Sequence, residues 1–177
     1  MDAFEQVVSE LFWSQGYWVR TSVKVNLTKD EKVAAERPTM PRPEIDLVAY
    51  HGGQNHLLAL ECKSYLDSRG VTYGEVCGDV VSKTYKLFRR ASLREIVLNR
   101  LVKQTVEEGL CPPGATIQLG MIAGKVAGND ELKLRALFHE RGWFFEGPSW
   151  LKTRIASLSE SSYENQVAAV VSKLLLR

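Results

Sequence analysis

Two short apolar segments around a glycine turn constrain the fold of this chain more than any other feature. They lie within PEIDLVAYHGGQNHLLALECKSY, residues 43–65. Apolar segments joined by turn residues predict an antiparallel β-hairpin. Ionised side chains are rarely buried unless they are paired or bind a metal. This hairpin nevertheless carries four charged residues among its apolar ones: Glu44, Asp46, Glu61 and Lys63.

Strand alternation predicts where these charges meet. Successive side chains of a strand point to opposite faces, so Glu61 and Lys63 share one face and Cys62 lies on the other. Pairing across the turn places Asp46 opposite Glu61, with Lys63 one step further along. Two carboxylates beside an ammonium group predict a site for a hard cation such as Mg²⁺, to which the backbone carbonyl of Cys62 adds an oxygen. The alternative is an exposed edge hairpin with a cross-strand salt bridge.

The rest of the sequence alternates between helical and strand patterns. Helices are predicted at 2–15, 79–108 (one helix, or two with a break), 129–142 and 163–177. Strands are predicted at 17–25, 44–50, 56–63 and 116–124, with a late strand within 143–158. Two segments are predicted to be irregular, namely 26–43, as a loop or a loop with a short helical turn, and 64–78. This order predicts an α/β domain with a central mixed β-sheet flanked by helices.

Length, charge and cysteine content bound the classes of function. A chain of 177 residues fits a single domain, and a formal net charge of +2 is too small for a general polycation. Any binding of nucleic acid must therefore use a local basic patch. No apolar run approaches the length of a membrane span, so no membrane partner is expected. Cys62, Cys77 and Cys111 lack CxxC spacing, which argues against a zinc site and favours a reducing, cytoplasmic location.

The spacing of the hairpin charges carries a resemblance. Asp46, Glu61 and Lys63 form D-x14-E-x-K, which resembles the active-site signature of the PD-(D/E)xK nuclease superfamily, although Ile45 stands where that signature has proline. The resemblance implies Mg²⁺-dependent hydrolysis of phosphodiester bonds, mostly of DNA, with Mn²⁺ able to replace Mg²⁺. Asp46 and Glu61 are then the implied catalytic residues and metal ligands, together with the backbone carbonyl of Cys62. The implied roles of Lys63 are to orient or deprotonate the attacking water, or to stabilise the transition state.

The same resemblance implies the fold. Members of this superfamily have a restriction-endonuclease-like core, in which a central mixed sheet is flanked by helices in the order α-β-β-β-α-β. The predicted elements match that order over about residues 2–124. The remaining residues, about 125–177, are then a C-terminal β/α extension, and residues 1–177 form a single nuclease-like domain.

A glutamate in the first predicted helix extends the resemblance. The segment FEQVVSELFWSQGYWV, residues 4–19, is similar to the start of the archaeal Holliday-junction resolvases, and Glu5 matches their early glutamate. The helical wheel places Glu5 at the margin of the apolar face, where it can reach a site at the sheet edge, and Glu10 further round, toward solvent. Glu5 is thus expected to be a further catalytic and metal-binding residue. The alternative is an acidic residue that favours the helix dipole.

Basic and polar residues around the hairpin are expected to contact nucleic-acid phosphates. Arg42 precedes the first strand of the hairpin, and Arg69 lies in the segment that follows the second. Ser64 and Tyr65 come directly after Lys63 and are expected to line the cleft. The predicted helical segment adds a basic group, for which a solvated helix face is the alternative: Lys83, Lys86, Arg89 and Arg90.

The predicted function is a metal-dependent nuclease with DNA as its expected substrate. The alternatives are a catalytically silent nucleic-acid-binding subunit on the same fold, and an assembly subunit whose hairpin charges form only a salt-bridge network. The expected partners are nucleic acid and either a second copy of the chain or a larger protein complex. The C-terminal helix has one apolar side, for which core packing is predicted and a dimer seam is the alternative: Val167, Val170, Val171, Leu174 and Leu175.

Overall fold

The computed structural model describes residues 2–78, 84–160 and 166–176. These residues form an α/β fold in which a five-stranded mixed sheet lies between two layers of helices. The strands are β1 (Trp18–Lys24), β2 (Glu44–His51), β3 (His56–Lys63), β4 (Thr116–Ala123) and β5 (Phe144–Glu146). They lie side by side in chain order, with β1, β2 and β3 antiparallel and β3, β4 and β5 parallel.

Helices cover both faces of this sheet. They are α1 (Ala3–Ser14), α2 (Lys29–Ala34), α3 (Tyr73–Cys77), α4 (Lys86–Arg89), α5 (Ala91–Glu107), α6 (Asp130–Glu140), α7 (Pro148–Glu160) and α8 (Val167–Leu176). Side chains of α1, α7 and α8 pack on one face, and those of α3, α4, α5 and α6 pack on the other. Among the residues that the structure describes, no helix is long and apolar enough to cross a membrane.

The hairpin forms as predicted and lies inside the sheet. A 3₁₀ turn at Gly52–Gln54 joins β2 to β3. Leu47 pairs with Leu60, and continuing this register by one residue places Asp46 opposite Glu61. Because β2 lies between β1 and β3, and β3 lies between β2 and β4, neither strand is an edge of the sheet. The alternative of an exposed edge hairpin is therefore wrong.

Other elements differ from the prediction in their details. The segment 64–78 contains the short helix α3. Thr72 is the N-cap of this helix, because its hydroxyl accepts a hydrogen bond from the N–H of Glu75. The described part of 79–108 forms two helices, α4 and α5, separated at Arg90, whose backbone is extended, which is one of the two predicted alternatives. The late strand β5 is only three residues long, and the helix α7 that follows it was not predicted. Pro148 is its first residue, a position where proline is favoured because its missing N–H is not needed.

Glu10 is buried, contrary to the expectation that it faces solvent. Only 7% of the residue is exposed. Its carboxylate accepts a hydrogen bond of 2.7 Å from the backbone N–H of Ala168 and another of 3.2 Å from the side-chain amide of Gln6. Glu10 therefore caps the N-terminus of α8, where a negative charge also interacts favourably with the helix dipole. The wheel of α1 could not show this, because the partner belongs to a distant part of the chain.

Replacing Glu10 by alanine should lower the free energy of unfolding by about 2 kcal/mol, since the buried N–H of Ala168 at the start of α8 loses its acceptor. Urea denaturation of the wild type and the variant measures this difference. Glu10→Gln keeps an acceptor oxygen and should lose clearly less stability than Glu10→Ala. Equal stability of Glu10→Ala and the wild type would contradict the capping role.

The apolar side of the C-terminal helix faces away from the protein, so the prediction of core packing is wrong for that side. The residues of α8 that are buried are small: Ala168, Ala169 and Ser172. The larger apolar residues are between 43% and 79% exposed, and five of them share one side of the helix: Val167, Val170, Val171, Leu174 and Leu175. We refer to these five residues as the α8 stripe.

Candidate active site

A cleft of about 580 Å³ opens where β2 begins and β3 ends. Its walls come from the N-terminus of α1, the segment before β2 with the start of β2 itself, the end of β3 with the two residues after it, the start of α4, and one residue of α5. The acidic residues on these walls are Asp2, Glu5, Glu44, Asp46 and Glu61. The basic residues on them are Arg37, Arg42, Lys63 and Lys86. The sequence-predicted charges thus meet in one cleft.

Lys63 lies between two carboxylates of the cleft. Its Nζ is 2.7 Å from Oε1 of Glu61 and 3.5 Å from Oδ2 of Asp46. The three side chains are only 19–23% exposed, so this ion-pair cluster is mostly shielded from water. The geometry confirms the juxtaposition that strand alternation predicted for these residues.

A backbone hydrogen bond holds the carboxylate of Asp46 in place, one residue beyond the Leu47–Leu60 pair of β2 and β3. The N–H of Cys62 donates a hydrogen bond of 2.8 Å to Oδ2 of Asp46, so a side chain serves as its acceptor. On the other side of β3, the N–H of Gly124 donates to the backbone oxygen of Lys63 over 2.8 Å. The cleft therefore lies at the carboxyl end of β3, a strand that pairs in parallel with β4, and open α/β sheets commonly bind ligands at the carboxyl ends of their strands.

Electrostatics in the cleft favour an additional cation. Burial raises the pKa of Glu61 above its ordinary value of 4.5, and the negative charges of Asp46 and Glu5 raise it further, although Lys63 acts to lower it. Burial acts to lower the pKa of Lys63, but the carboxylates of Glu61 and Asp46 outweigh it and raise that pKa above 10.5. Lys63 is thus an ammonium ion at neutral pH. The single positive charge of Lys63 does not balance the negative charges of the carboxylates around it, those of Glu61, Asp46 and Glu5.

Glu61→Gln should raise the free energy of unfolding at pH 7 in the presence of a chelator. Because the pKa of Glu61 is higher in the folded state than its unfolded value of 4.5, the folded protein binds this proton more tightly. On acidification from neutral pH toward 4.5, the free energy of unfolding of the wild type should therefore rise relative to that of the variant. The stability advantage of the variant should shrink over the same range. Urea denaturation at several pH values measures the difference between the two proteins.

A matched variant controls for the general effect of removing a negative charge. Glu140 is exposed on α6, away from the cleft, and Glu140→Gln should leave the pH dependence of the wild type unchanged. If Glu61→Gln were less stable than the wild type at pH 7, the buried charge of Glu61 would be stabilising and our interpretation would be wrong.

Glu5 lies on the wall of the same cleft, as expected from its position at the margin of α1. Its carboxylate also completes a capping box: Asp2 N–H donates to Oε2 of Glu5 over 3.2 Å, and Glu5 N–H donates to Oδ1 of Asp2 over 2.8 Å. The structure therefore contains both alternatives, a residue at the cleft and a residue that stabilises the helix N-terminus. A direct role of Glu5 in catalysis or metal binding stays a prediction.

The residues predicted to contact nucleic acid divide into two groups. Four of them line the cleft: Arg42, Ser64, Tyr65 and Lys86. Arg69 and Arg89 lie outside its walls, where Arg69 pairs with Glu75 over 3.3 Å and Arg89 donates to the backbone oxygen of Gly78 over 3.4 Å. Arg90 is exposed at the start of α5, also outside the walls, and Lys83 lies outside the described residues.

Tyr85 is a residue of the cleft that sequence reasoning missed. Tyr65 and Tyr85 both have a positive φ, 46° and 54°, which is uncommon for bulky side chains. Tyr85 is only 3% exposed, and its hydroxyl lies close to the side chain of Tyr65. Burial, together with the nearby Tyr65, raises its pKa, so it keeps its proton. No motif signals this residue, because its position depends on the unusual backbone at the start of α4.

The carboxylates of the cleft form a small donor set. In the described ranges, no group of three or more His, Cys, Asp or Glu side chains is arranged to hold a metal ion. Mg²⁺ in proteins commonly uses one or two carboxylates and completes its octahedron with water and substrate phosphate. Asp46, Glu61 and the backbone carbonyl of Cys62 fit that type of site, since all three offer hard oxygen ligands.

Comparison with family models, curated proteins and solved structures finds no match to this chain. The assignment of a function therefore rests on the residues of the cleft and their chemistry.

Proposed function

We propose that this protein is a metal-dependent nuclease that hydrolyses phosphodiester bonds of nucleic acid, with DNA as its substrate. The observation that carries the proposal is the position of the Lys63 ammonium between the carboxylates of Glu61 and Asp46 in an open cleft. These residues resemble the signature of the PD-(D/E)xK superfamily in type and spacing, and a restriction-endonuclease-like core is part of the proposal. The free cysteines support a cytoplasmic location, since thiols persist in reducing compartments.

Asp46 and Glu61 are the proposed metal ligands, together with the backbone carbonyl of Cys62. The raised pKa of Glu61 supports this role, because it reflects a carboxylate that burial and neighbouring negative charges leave poorly stabilised. A divalent cation would relieve that repulsion. When bound, Mg²⁺ or Mn²⁺ supplies polarisation of the phosphate and lowers the pKa of a bound water.

Lys63 acts in the proposal as a positive charge rather than as a base. Its raised pKa keeps the ammonium protonated at neutral pH, so it is not suited to accept a proton from water in this state. It is suited to donate hydrogen bonds to a phosphate oxygen and to stabilise the negative charge that grows in the transition state. Glu5, on the facing wall, adds a carboxylate that can orient water near the same phosphate.

The rim of the cleft supports nucleic acid as the substrate class. Arg37, Arg42 and Lys86 are exposed on its walls, whereas its floor is acidic. Basic side chains at a rim hold the phosphate backbone through charge and position it without reading sequence. The backbone phosphates on either side of the reacting one would contact these residues, with Ser64 as a further donor.

A second candidate function is a catalytically silent subunit that binds nucleic acid in the same cleft. The ion pairs of Lys63 favour it, because both of its carboxylate partners are already neutralised in part without a metal. Such a subunit would bind phosphate through the rim and would not depend on divalent cations. Metal dependence therefore separates the two functions.

Cleavage of a substrate panel tests the proposal. The panel contains linear duplex, single-stranded DNA, supercoiled plasmid, a four-way junction and RNA, each with Mg²⁺, with Mn²⁺ and with a chelator. We expect cleavage of at least one DNA substrate with metal only. The double variant Asp46→Asn with Glu61→Gln should cleave none of them, because the proposed ligands have lost their charge.

A charge-matched variant controls for contaminating nuclease and for net charge. Glu107 and Glu140 are surface acids away from the cleft, and Glu107→Gln with Glu140→Gln should cleave as the wild type does. Binding of the panel without cleavage, unchanged by chelator, would overturn the nuclease and support the silent subunit. Equal cleavage by both double variants would also overturn it.

A further inference from the structure

The C-terminal helix presents an apolar surface that the proposed function does not use. The α8 stripe recurs at positions i, i+3, i+4, i+7 and i+8, so its five side chains project from one side of the helix. We propose that the α8 stripe is the interface through which two copies of this chain form a symmetric dimer. The proposal is independent of the nuclease.

The orientation of α8 is fixed by contacts on its other side. Ala169 is fully buried and Ser172 nearly so, which lets the helix backbone approach α1 and α7 closely. The carboxylate of Glu10 caps its N-terminus through the N–H of Ala168. A helix held in this way cannot rotate its large side chains into the core without breaking the cap. The stripe is therefore a stable outward surface.

The size of the stripe suits an interface between copies. Side chains with these exposures present on the order of 500 Å² of apolar surface, which matches the largest apolar patch of a typical monomer. Two copies that cover the whole stripe would bury about 1,000 Å², which is the lower limit for a specific interface. Burial of that surface contributes favourably to the free energy of association, because apolar area is removed from water.

The chemistry of the stripe favours a second copy as the occupant. The only charged residue of α8 is Lys173, which lies off the stripe, so no charge on this surface selects an acidic or basic partner. An identical apolar stripe is complementary to it, and a two-fold axis brings the same residues of both copies together. Its spacing also allows two such helices to pack side by side.

Sedimentation equilibrium of the full chain tests the proposal between about 1 and 100 µM. We expect a reversible monomer–dimer equilibrium for the wild type. Leu174→Glu should weaken it by about 30-fold or more, because a charge would be buried within the interface. The matched control is Leu132→Glu: Leu132 is 78% exposed on α6, on the opposite side of the sheet, and Leu174 is 79% exposed. The control should dimerise as the wild type does.

Disulfide cross-linking gives a second measurement that does not depend on loss of association. The middle residue of the stripe lies near the two-fold axis whether the two helices pack parallel or antiparallel, so Val171→Cys should form an intermolecular disulfide on oxidation, in a background with Cys77→Ser. Leu132→Cys in the same background should not. A wild type that stays monomeric over the whole range would overturn the proposal. So would a dimer that Leu174→Glu and Leu132→Glu affect equally.

Discussion

Lys63→Met should reduce metal-dependent cleavage by about 10³-fold, the loss typical of removing one preorganised charge from a transition state. Methionine keeps the unbranched stem of lysine and fills the same space, so the change removes the charge with little loss of packing. The ammonium is 2.7 Å from Glu61 and 3.5 Å from Asp46. Without it, the developing charge on the phosphate loses its donor, and the two carboxylates lose the cation that pairs with them. Single-turnover cleavage of the best substrate of the panel measures the effect.

A lysine elsewhere in the chain provides the control for Lys63→Met. Lys133 pairs with Asp130 over 3.3 Å on α6, outside the walls of the cleft, and Lys133→Met should cleave at the wild-type rate. Circular dichroism should show that both variants are folded. If Lys63→Met cleaved as fast as Lys133→Met, Lys63 would have no part in the chemistry and the proposed site would be wrong.

Divalent metal should stabilise the wild type but not Asp46→Asn. A metal at 100 times its dissociation constant adds about 2.7 kcal/mol to the free energy of unfolding if it binds only the folded state. Asparagine keeps an oxygen that can accept the hydrogen bond from Cys62 N–H, so the strand end should persist while the charge is lost. The thermal midpoint with Mn²⁺, with Mg²⁺ and with a chelator measures the difference.

Asp130 offers a close structural match for this comparison. Its Oδ2 accepts a hydrogen bond from the N–H of Tyr73 over 3.0 Å, as Oδ2 of Asp46 does from Cys62 over 2.8 Å. Asp130→Asn therefore makes the same chemical change at a similar contact away from the cleft, and it should respond to metal as the wild type does. Equal stabilisation of Asp46→Asn and Asp130→Asn would place the metal elsewhere.

The positions of Asp46, Glu61 and Lys63 could be predicted because hairpin geometry leaves little freedom. A short glycine turn sets the register, and the two-residue period of strands then decides which side chains share a face. These are local rules, so a sequence alone contains the information. The placement of Glu5 at the cleft followed from the periodicity of one helix in the same way.

Features that depend on contacts between distant elements could not be predicted in this way. The wheel of α1 identifies its own apolar face, but it cannot show that Glu10 meets the start of α8. In α8 the usual burial of large apolar side chains is reversed, because Ala169 and Ser172 pack inward while Leu174 faces solvent. Hydrophobicity alone predicted the opposite orientation. The helix α7 was not predicted, because a Gly-Pro pair, here Gly147 and Pro148, commonly ends an element, whereas here proline is the first residue of the next helix.

The first helix, α1, connects the cleft to the helix that carries the α8 stripe. Glu5 lies at the cleft and Glu10 holds the start of α8, and only about one and a half turns, or about 7.5 Å, separate them along the axis. A helix segment of that length behaves as a rigid rod, so its two ends cannot move independently. A displacement of α8 that pulled on Glu10 would therefore also move Glu5 and change its distance from Glu61, whose pKa responds to the negative charge of Glu5.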